Sequence, residues 1–371
     1  DGGTGATAYA DAVATYLGLA VSRSANSLCT LAIWSHSRDQ SVNVFSRQAL
    51  AMTWDFPEVN PFAGAAGDFG ETCASMSKTV AGTPARGTAT VELRDASESS
   101  GHANTLLIQT DPPYYDNIGY ADLSDFFFTW LRPSLRTVYP NLFSTLLSPK
   151  QRELVATPYR FGGNKLKAKE FFERGLGAAF SSMYSAAHPD YPLTAFYAFK
   201  QTEAHVRYKE EVNGKSALSS TGWETMLQGL LDAGFSITGT WPMRTERPTG
   251  VKVATNALAS SIVLVFRPRP QTAATTTRGE FLRELRRKLP AALRTMQQAS
   301  IAPVDLAQAA IGPGMAIYSA YAAVLEPGGE RLRVRTALQL INQVRDEALS
   351  EQDSEYDRET GWAIDWFAQY G

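Results

Sequence analysis

The stretch Thr105–Tyr114, TLLIQTDPPY, decides the fold class. Its first five residues form a short apolar run, Thr105–Gln109, and runs of this length are typical of a buried parallel strand. The run stops at Thr110-Asp111-Pro112-Pro113, since proline has no N–H to donate to a sheet ladder and aspartate before proline favours a turn. The stretch therefore predicts a buried strand that ends in a rigid polar turn.

From Thr88 to Phe266 the predicted order is strand, strand, helix, helix, strand, helix, strand, strand. The segment Thr88–Leu93 (TATVEL) alternates apolar and polar residues, which is typical of a strand. An alternating order of elements predicts an α/β fold, a mainly parallel sheet covered by helices. The last two strands could pair as an antiparallel hairpin at one sheet edge. The predicted strands are Thr88–Leu93, Thr105–Gln109, Leu193–Phe199, Phe235–Thr240 and Ala257–Phe266, and the predicted helices are Asp122–Arg132, Lys165–Ala187 and Gly222–Ala233.

The flanks of this core have a different character. The N-terminal segment, residues 1–87, carries a predicted helix and a glycine loop, and it either packs on the core or forms part of it. The Pro- and Thr-rich stretch Pro268–Thr277 predicts a linker between the core, residues 88–268, and a helical C-terminal region, residues 278–371. In that region the IGPGM turn, Ile311–Met315, is expected to join two helices. The N-terminal helix is predicted over Ala6–Ser27, with an apolar face of Tyr9, Val13, Tyr16, Leu17 and Val21.

Composition sets limits on the function. The chain has 371 residues and a formal net charge of −2, so no overall basic field favours nucleic acid, although Lys and Arg can still concentrate on one face. The two cysteines, Cys29 and Cys73, form neither a zinc ribbon nor a disulfide framework, which suits a cytoplasmic protein. The most apolar stretch, Ala12–Val21, is too short to span a membrane. Because the first residue is Asp1 and not Met, we expect a fragment or a processed product.

The tetrapeptide Asp111-Pro112-Pro113-Tyr114 carries the chemistry. In open parallel sheets, ligands bind outside the carboxyl ends of strands, and the tetrapeptide follows a predicted strand directly. The Asp111 carboxylate can accept a hydrogen bond from an aromatic amine, and the Pro112 carbonyl can accept the second N–H. Prolines hold these acceptors rigidly, and Tyr114 offers a flat face for stacking a base that has been turned out of a duplex. The pattern favours methyl transfer to an exocyclic amine over a plain turn.

The sequence around this tetrapeptide resembles a known family. TDPPYYDNIGYADLSDFFFTWLRPSL, Thr110–Leu135, resembles the catalytic motif of the large prokaryotic adenine-specific DNA methylases. More narrowly, it is similar to those with a zinc-ribbon insertion and an N-terminal domain of unknown function, found near anti-phage and restriction genes. The chain resembles the C-terminal part of that family. Further similar stretches are WDFPEVNPFAGAAG (54–67), AGFSITGTWPMRTE (233–246), ALASSIVLVFRPR (257–269) and IAPVDLAQAAIGPGM (301–315).

The resemblance implies a Rossmann-like methyltransferase sheet, partial or with upstream strands missing, and S-adenosylmethionine as the methyl donor. It implies that Asp111, Pro112, Pro113 and Tyr114 form the pocket for the target base. Asp95 stands where such enzymes often place an acidic contact near donor or base. The NPFAGAAG loop resembles a donor loop in spelling, although Pro57 and two acids precede it where a first strand is expected. The residues of this loop expected near the donor are Asn60, Phe62, Gly64 and Gly67.

Weaker signals concern nucleic acid and metals. Lys200 follows a predicted strand and could meet a phosphate. The basic side of the helix that begins near Gly279, with Arg283 and Arg287, could bind a DNA backbone, although a solvated helix face is the commoner role of such charges. We expect no metal site, because the four histidines have no metal-ligand spacing.

Three functions remain open at this point. The first is a methyltransferase acting on the N6 amine of adenine in DNA, with DNA and other defence proteins as partners and no membrane association. The second is an RNA amino-methyltransferase, since the same tetrapeptide serves that reaction. The third is a non-catalytic DNA-binding or scaffold subunit of a defence complex that keeps a methyltransferase-like shell.

Overall fold

A computed structural model describes residues 3–45, 49–50, 52–64, 67–83, 87–113, 115, 119–197, 221–244, 260–298, 309–353, 362 and 366. The chain forms two compact units. The first combines residues 1–95 with 116–155, and the second combines residues 96–115 with 156–371. Their boundaries differ from the predicted parts 1–87 and 88–268, because residues 116–155 belong to the first unit.

Three helices and a small hairpin build the first unit. The helices are α1 (Ala6–Ala25), α2 (Phe69–Gly82) and α3 (Tyr120–Leu135), and the hairpin pairs β1 (Ile33–Ser35) with β2 (Gln40–Val42). Helix α1 packs against both α2 and α3. A Cβ atom added at Gly18 would lie 2.9 Å from the side chain of Leu135, so the close approach of α1 and α3 depends on glycine.

The buried face of α1 is not the predicted one. The helix buries its small residues, whereas the large apolar side chains at its start are exposed, Tyr9 by 75% and Tyr16 by 47%. The physical reason is the contact between Gly18 and Leu135. With 3.6 residues per turn, Tyr9 lies on the side of α1 opposite Gly18. The buried residues are Gly18, Ala20, Ser22, Ser24 and Ala25.

The predicted strand Thr88–Leu93 is wrong. Its residues carry no strand pairing, and the side chains of Val91 and Leu93 are 97% and 76% exposed. Alternation marks a segment that can form a strand, but a strand needs a neighbour for its backbone groups. Within the described part of the chain no neighbour pairs with this segment.

A mixed four-stranded sheet forms the centre of the second unit. Its strands are β3 (Gln109–Thr110), β4 (Leu193–Tyr197), β5 (Phe235–Arg244) and β6 (Ser260–Pro268), in the spatial order β3-β4-β6-β5. Strand β3 is parallel to β4, and β6 is antiparallel to both β4 and β5. The mixed α/β class and the antiparallel hairpin of the last two strands are therefore confirmed, and β3, β4 and β5 share one direction. The sheet is not mainly parallel as predicted, because two of its three strand pairs are antiparallel.

The strand before the prolines is shorter and more exposed than predicted. Only Gln109–Thr110 form β3, and Leu106 adds an isolated parallel bridge to Ala187. Leu107 is 59% exposed, so this stretch is not buried on both faces. The reason is its place at the sheet edge, where one side of the strand has no neighbouring strand among the described residues.

Helices cover one side of this sheet. They include α4 (Lys165–Ala186) and α5 (Thr221–Asp232), and these two confirm the predicted helices at nearly the predicted bounds, as α3 does in the first unit. Asn164 caps α4 by accepting a hydrogen bond from the Lys167 N–H. Gly234, at a φ of 95°, follows α5 in the position of a C-cap glycine and donates its N–H to the Leu231 carbonyl.

The C-terminal residues belong to the same unit as the sheet. They form β7 (Thr275–Thr277), α6 (Arg278–Gln298), α7 (Ile311–Ser319), β8 (Ala323–Leu325) and α8 (Val334–Asp353). The linker prediction is wrong for Thr275–Thr277, which pair in parallel with β8 and bury Thr276. IGPGM is not a turn between helices, because it forms the first residues of α7. Among the described residues, no helix is long and apolar enough to cross a membrane.

Candidate functional site

The Asp-Pro-Pro sequence lies at the carboxyl end of β3. The register pairs Gln109 with Thr194 and Thr110 with Ala195, so Asp111 directly follows the last paired residue. The Ile108 carbonyl accepts the Thr194 N–H at 3.1 Å, which fixes the strand just before the motif. The predicted position of the motif, at the carboxyl end of a parallel strand, is therefore confirmed. This is the place where open α/β sheets bind ligands.

The motif has one buried and one exposed member. Pro112 is buried and Pro113 is half-buried, whereas Asp111 is exposed. Tyr114 lies outside the described residues. The two prolines fix φ and have no N–H, so this segment presents carbonyl acceptors on a rigid backbone. A carboxylate and fixed carbonyls next to each other form an acceptor pair suited to an NH2 group.

Tyr115 anchors the chain just after the motif. Its carbonyl accepts the Ala156 N–H at 2.8 Å, and its ring meets the buried ring of Phe172 edge-on, with centroids 5.2 Å apart. Phe172 belongs to α4, so the motif is held between β3 on one side and a core aromatic contact on the other. This anchor was not predicted, because nothing in the sequence around Tyr115 indicates that it contacts Phe172 and Ala156.

Two more strand ends lie at the same end of the sheet as the motif. Strand β4 ends at Tyr197, whose ring stacks on Trp223 of α5 with centroids 5.7 Å apart. Strand β5 carries Trp241 near its carboxyl end, and this side chain is 66% exposed. The carboxyl end of the sheet therefore combines a buried aromatic pair with one exposed indole.

The glycine loop belongs to the first unit and is organised by Asp68. Its Oδ2 accepts the Gly64 N–H at 2.8 Å, and its Oδ1 accepts the Glu71 N–H at 3.0 Å at the start of α2. These backbone N–H groups, Gly64 first, lower the pKa of the Asp68 carboxyl below its usual 3.8. Gly64 and Gly67 have positive φ values of 68° and 95°, which explains the glycines.

This arrangement bears on the predicted donor contacts. Asn60 accepts the Phe62 N–H through its side chain at 3.0 Å, and the Phe62 ring is 76% exposed. The loop amide of Gly64 and the helix amide of Glu71 already donate to Asp68, so they do not point at a ligand. The described contacts are those of a capped helix start. Sequence reasoning missed Asp68, although Asp followed three residues later by Glu71 is a capping signal.

Asp95 does not sit at the end of a strand, because the strand expected before it is absent. It belongs to the first unit, is half-buried, and lies 3.6 Å from Arg152 across an ion pair. Its predicted contact with donor or base remains a prediction.

The basic residues of α6 are paired with acids. Arg287 contacts Glu284 at 2.7 Å, and Arg283 lies 3.8 Å from Glu280. Hydrogen bonds from Arg287 and Lys288 lower the pKa of Glu284 to about 2. Two acids of the same helix therefore compensate part of the positive charge on the predicted DNA-binding face. Lys200 lies outside the described residues.

Metal ligands are not gathered in the part of the chain that the structure describes, where no group of three or more His, Cys, Asp or Glu could hold an ion. No protein-family model matches the chain, and no curated protein or solved structure is significantly similar to it. The likeness of its motifs to adenine methylases therefore remains a prediction.

Proposed function

We propose that the chain is an S-adenosylmethionine-dependent DNA methyltransferase that acts on the N6 amine of a flipped-out adenine. The observation that carries the proposal is the position of Asp111-Pro112-Pro113 directly after β3, at the carboxyl end of a mixed α/β sheet. Ligand sites lie at such strand ends, and the residue types at this one suit an aromatic amine.

The described residues supply the acceptor side of the reaction. Asp111 is exposed and accepts one N–H of the adenine amine, while the Pro112 carbonyl accepts the other. Holding both protons in fixed acceptors orients the amine and makes its nitrogen lone pair available. Positioning and electrostatics of this kind lower the barrier without a covalent enzyme intermediate.

The described residues do not form a donor site. S-adenosylmethionine, when bound, supplies an electrophilic methyl group on a sulfonium. In a doubly wound sheet its binding requires a strand and a glycine loop on the far side of the switch strand. Strand β3 is an edge strand among the described residues, and in the NPFAGAAG loop the Gly64 N–H is engaged by Asp68. No donor site is therefore formed by the residues that the structure describes.

The open edge of β3 suggests how the site is completed. The sheet order β3-β4-β6-β5 puts the motif strand at one edge of the described sheet. A crevice at the end of β3 needs a second parallel strand beside it.

A scaffold function is the second candidate. The closed glycine loop and the incomplete sheet favour a methyltransferase-like shell that binds DNA without turnover. Calorimetric titration of the chain with S-adenosylmethionine separates the two. Saturable binding supports the enzyme, whereas a folded sample without binding favours the scaffold for this chain alone.

The choice between DNA and RNA rests on the resemblance of the motifs. Digestion of methylated DNA and RNA to nucleosides identifies the product directly. N6-methyladenosine from RNA, with no methylated base from DNA, would transfer the proposal to an RNA substrate.

A further inference from the structure

Asp111 belongs to a row of side chains that crosses the whole sheet. Strand register pairs Thr110 with Ala195, and continuing it by one residue places Asp111 beside Phe196. Phe196 pairs with Val263, and Val263 pairs with Trp241. The row therefore runs over four adjacent strands, from the motif at one edge to Trp241 at the other.

The side chains of Phe196, Val263 and Trp241 lie on the same face, and an extension of β3 by one residue would put Asp111 on that face too. Side chains alternate between faces along a strand, and cross-strand partners share a face. Tyr197, the next residue of β4, lies on the opposite face and stacks on Trp223 of α5. The face of Asp111 and Trp241 is thus the one turned away from α5.

The two inner residues of the row are apolar and largely buried, whereas the two residues at its ends are exposed. Val263 is 7% exposed and Phe196 is half-buried, whereas Asp111 is exposed and Trp241 is 66% exposed. Adjacent strands lie about 4.8 Å apart, so three spacings put Trp241 roughly 14 Å from Asp111. A base held by Asp111 cannot reach the indole, but nucleotides next to it in an extended strand can.

We propose that Trp241 stacks a nucleotide that flanks the flipped-out target base, so that the strand carrying this base is separated from its partner and lies extended along this row. The inference rests on the proposed function for the position of the target base. It adds a second contact point and a direction for the strand, from the edge at β3 towards the edge at β5.

The size of the exposed patch favours a nucleotide over a protein partner. A stable protein interface takes about 800 Å² from each side. Among the described strand residues and the stretch before β3, the exposed large apolar side chains of this unit are Leu107, Trp241 and Met243. Three side chains are too few for such an interface, whereas one exposed indole is sufficient for stacking a base.

The test measures binding of a fluorescein-labelled DNA single strand of about 12 nucleotides to the full chain by anisotropy. We expect Trp241→Ala to weaken binding about tenfold, the loss of one base–aromatic stack. Trp241→Phe should restore most of the affinity. The loss should persist at high salt, because stacking, unlike phosphate contact, releases no counterions.

Tyr191→Ala is the matched control. Tyr191 is also an exposed aromatic residue, at 52%, but it lies just before β4 at the opposite end of the sheet. The Tyr191→Ala variant should bind the single strand like the wild type. Circular dichroism checks that each variant is folded. Unchanged binding by Trp241→Ala, no rescue by Trp241→Phe, or no binding by the wild type would each overturn the inference.

A second variant separates this inference from the proposed function. Asp111→Asn should abolish methyl transfer, and in that background Trp241→Ala should still weaken binding of the strand about tenfold. Methyl transfer that continues in Trp241→Ala with an unchanged KM overturns the stacking site alone. If the wild type shows Trp241-dependent binding but no methyl transfer, the proposed methyltransferase function is overturned and the stacking site at Trp241 stands.

Discussion

Asp68 Oδ2 accepts a 2.8 Å hydrogen bond from the backbone N–H of Gly64, and this contact closes the glycine loop onto the start of α2. The same carboxylate accepts the Glu71 N–H through its other oxygen, so one buried side chain serves both loop and helix. The loop is therefore held by its own chain.

Replacing Asp68 by alanine should destabilise the first unit. The change removes the cap of α2 and leaves the Gly64 N–H without its acceptor. We expect the melting temperature to fall by about 2–4 °C, measured by circular dichroism at neutral pH. Asp55→Ala, which changes an exposed acid in the same unit, should leave the melting temperature unchanged; an equal fall in both variants would contradict the role of Asp68.

The same carboxylate predicts a pH dependence. Its pKa is below the ordinary 3.8 in the folded chain, because backbone N–H groups of Gly64 and Glu71 favour the ionised form. A carboxyl with a lowered pKa contributes stability above its unfolded pKa and loses it as the pH falls through the folded value. The stability difference between the wild type and Asp68→Asn should therefore be constant near neutral pH and shrink below pH 3.8. A difference that stays constant into that acid range would contradict the assignment.

Gly312 explains how α7 fits against β5. A Cβ atom added there would lie 1.9 Å from Thr240 Oγ1, a contact no side chain can make. We expect Gly312→Ala to lower the free energy of unfolding by about 1–3 kcal/mol through overpacking, measured by denaturant unfolding. Gly177→Ala, in α4 with open space around its Cβ position, should be neutral or stabilising. Equal effects of the two changes would contradict the close packing.

The sequence predicted the second unit better than the first. Helices α4 and α5 carry long periodic apolar patterns, and β4 and β6 carry continuous apolar runs. These patterns alone predict the four elements from the sequence. Thr88–Leu93 failed because strand pairing depends on a neighbour that local pattern cannot reveal. The face of α1 failed because Gly18, and not a large side chain, makes its contact with Leu135.

The candidate site was predictable in part for the same reason. A motif after a strand can be read from consecutive letters, so the place of Asp111 was found. Two features were not predicted because they depend on contacts between distant or differently folded segments. They are the hydrogen bond from Gly64 to Asp68 and the alignment of Trp241 with Asp111 across the strands. IGPGM illustrates the point: its glycines permit helix packing against Thr240 and Ile341, and do not form a turn.

The ion pairs of α6 lead to a prediction for nucleic-acid binding. Arg287 donates to Glu284 at 2.7 Å, so its charge is largely compensated before any phosphate arrives. We expect Arg287→Ala to change the salt slope of DNA binding by much less than the value of about one for a phosphate contact. Glu284→Gln, which frees Arg287 and Lys288, should strengthen binding. A decrease of about one in the salt slope of DNA binding for Arg287→Ala would instead show that this helix contacts the DNA backbone.

The central claim is that Asp111 holds the amine of an adenine for methylation. The most direct measurement is transfer of a labelled methyl group from S-adenosylmethionine to unmodified DNA, followed by digestion to nucleosides, for the wild type and for Asp111→Ala. The account predicts N6-methyladenine from the wild type and none from the variant, whose fold should be intact because the Asp111 side chain is exposed. Equal yields from both proteins, methyl groups on another base, or no product from the wild-type chain would contradict it.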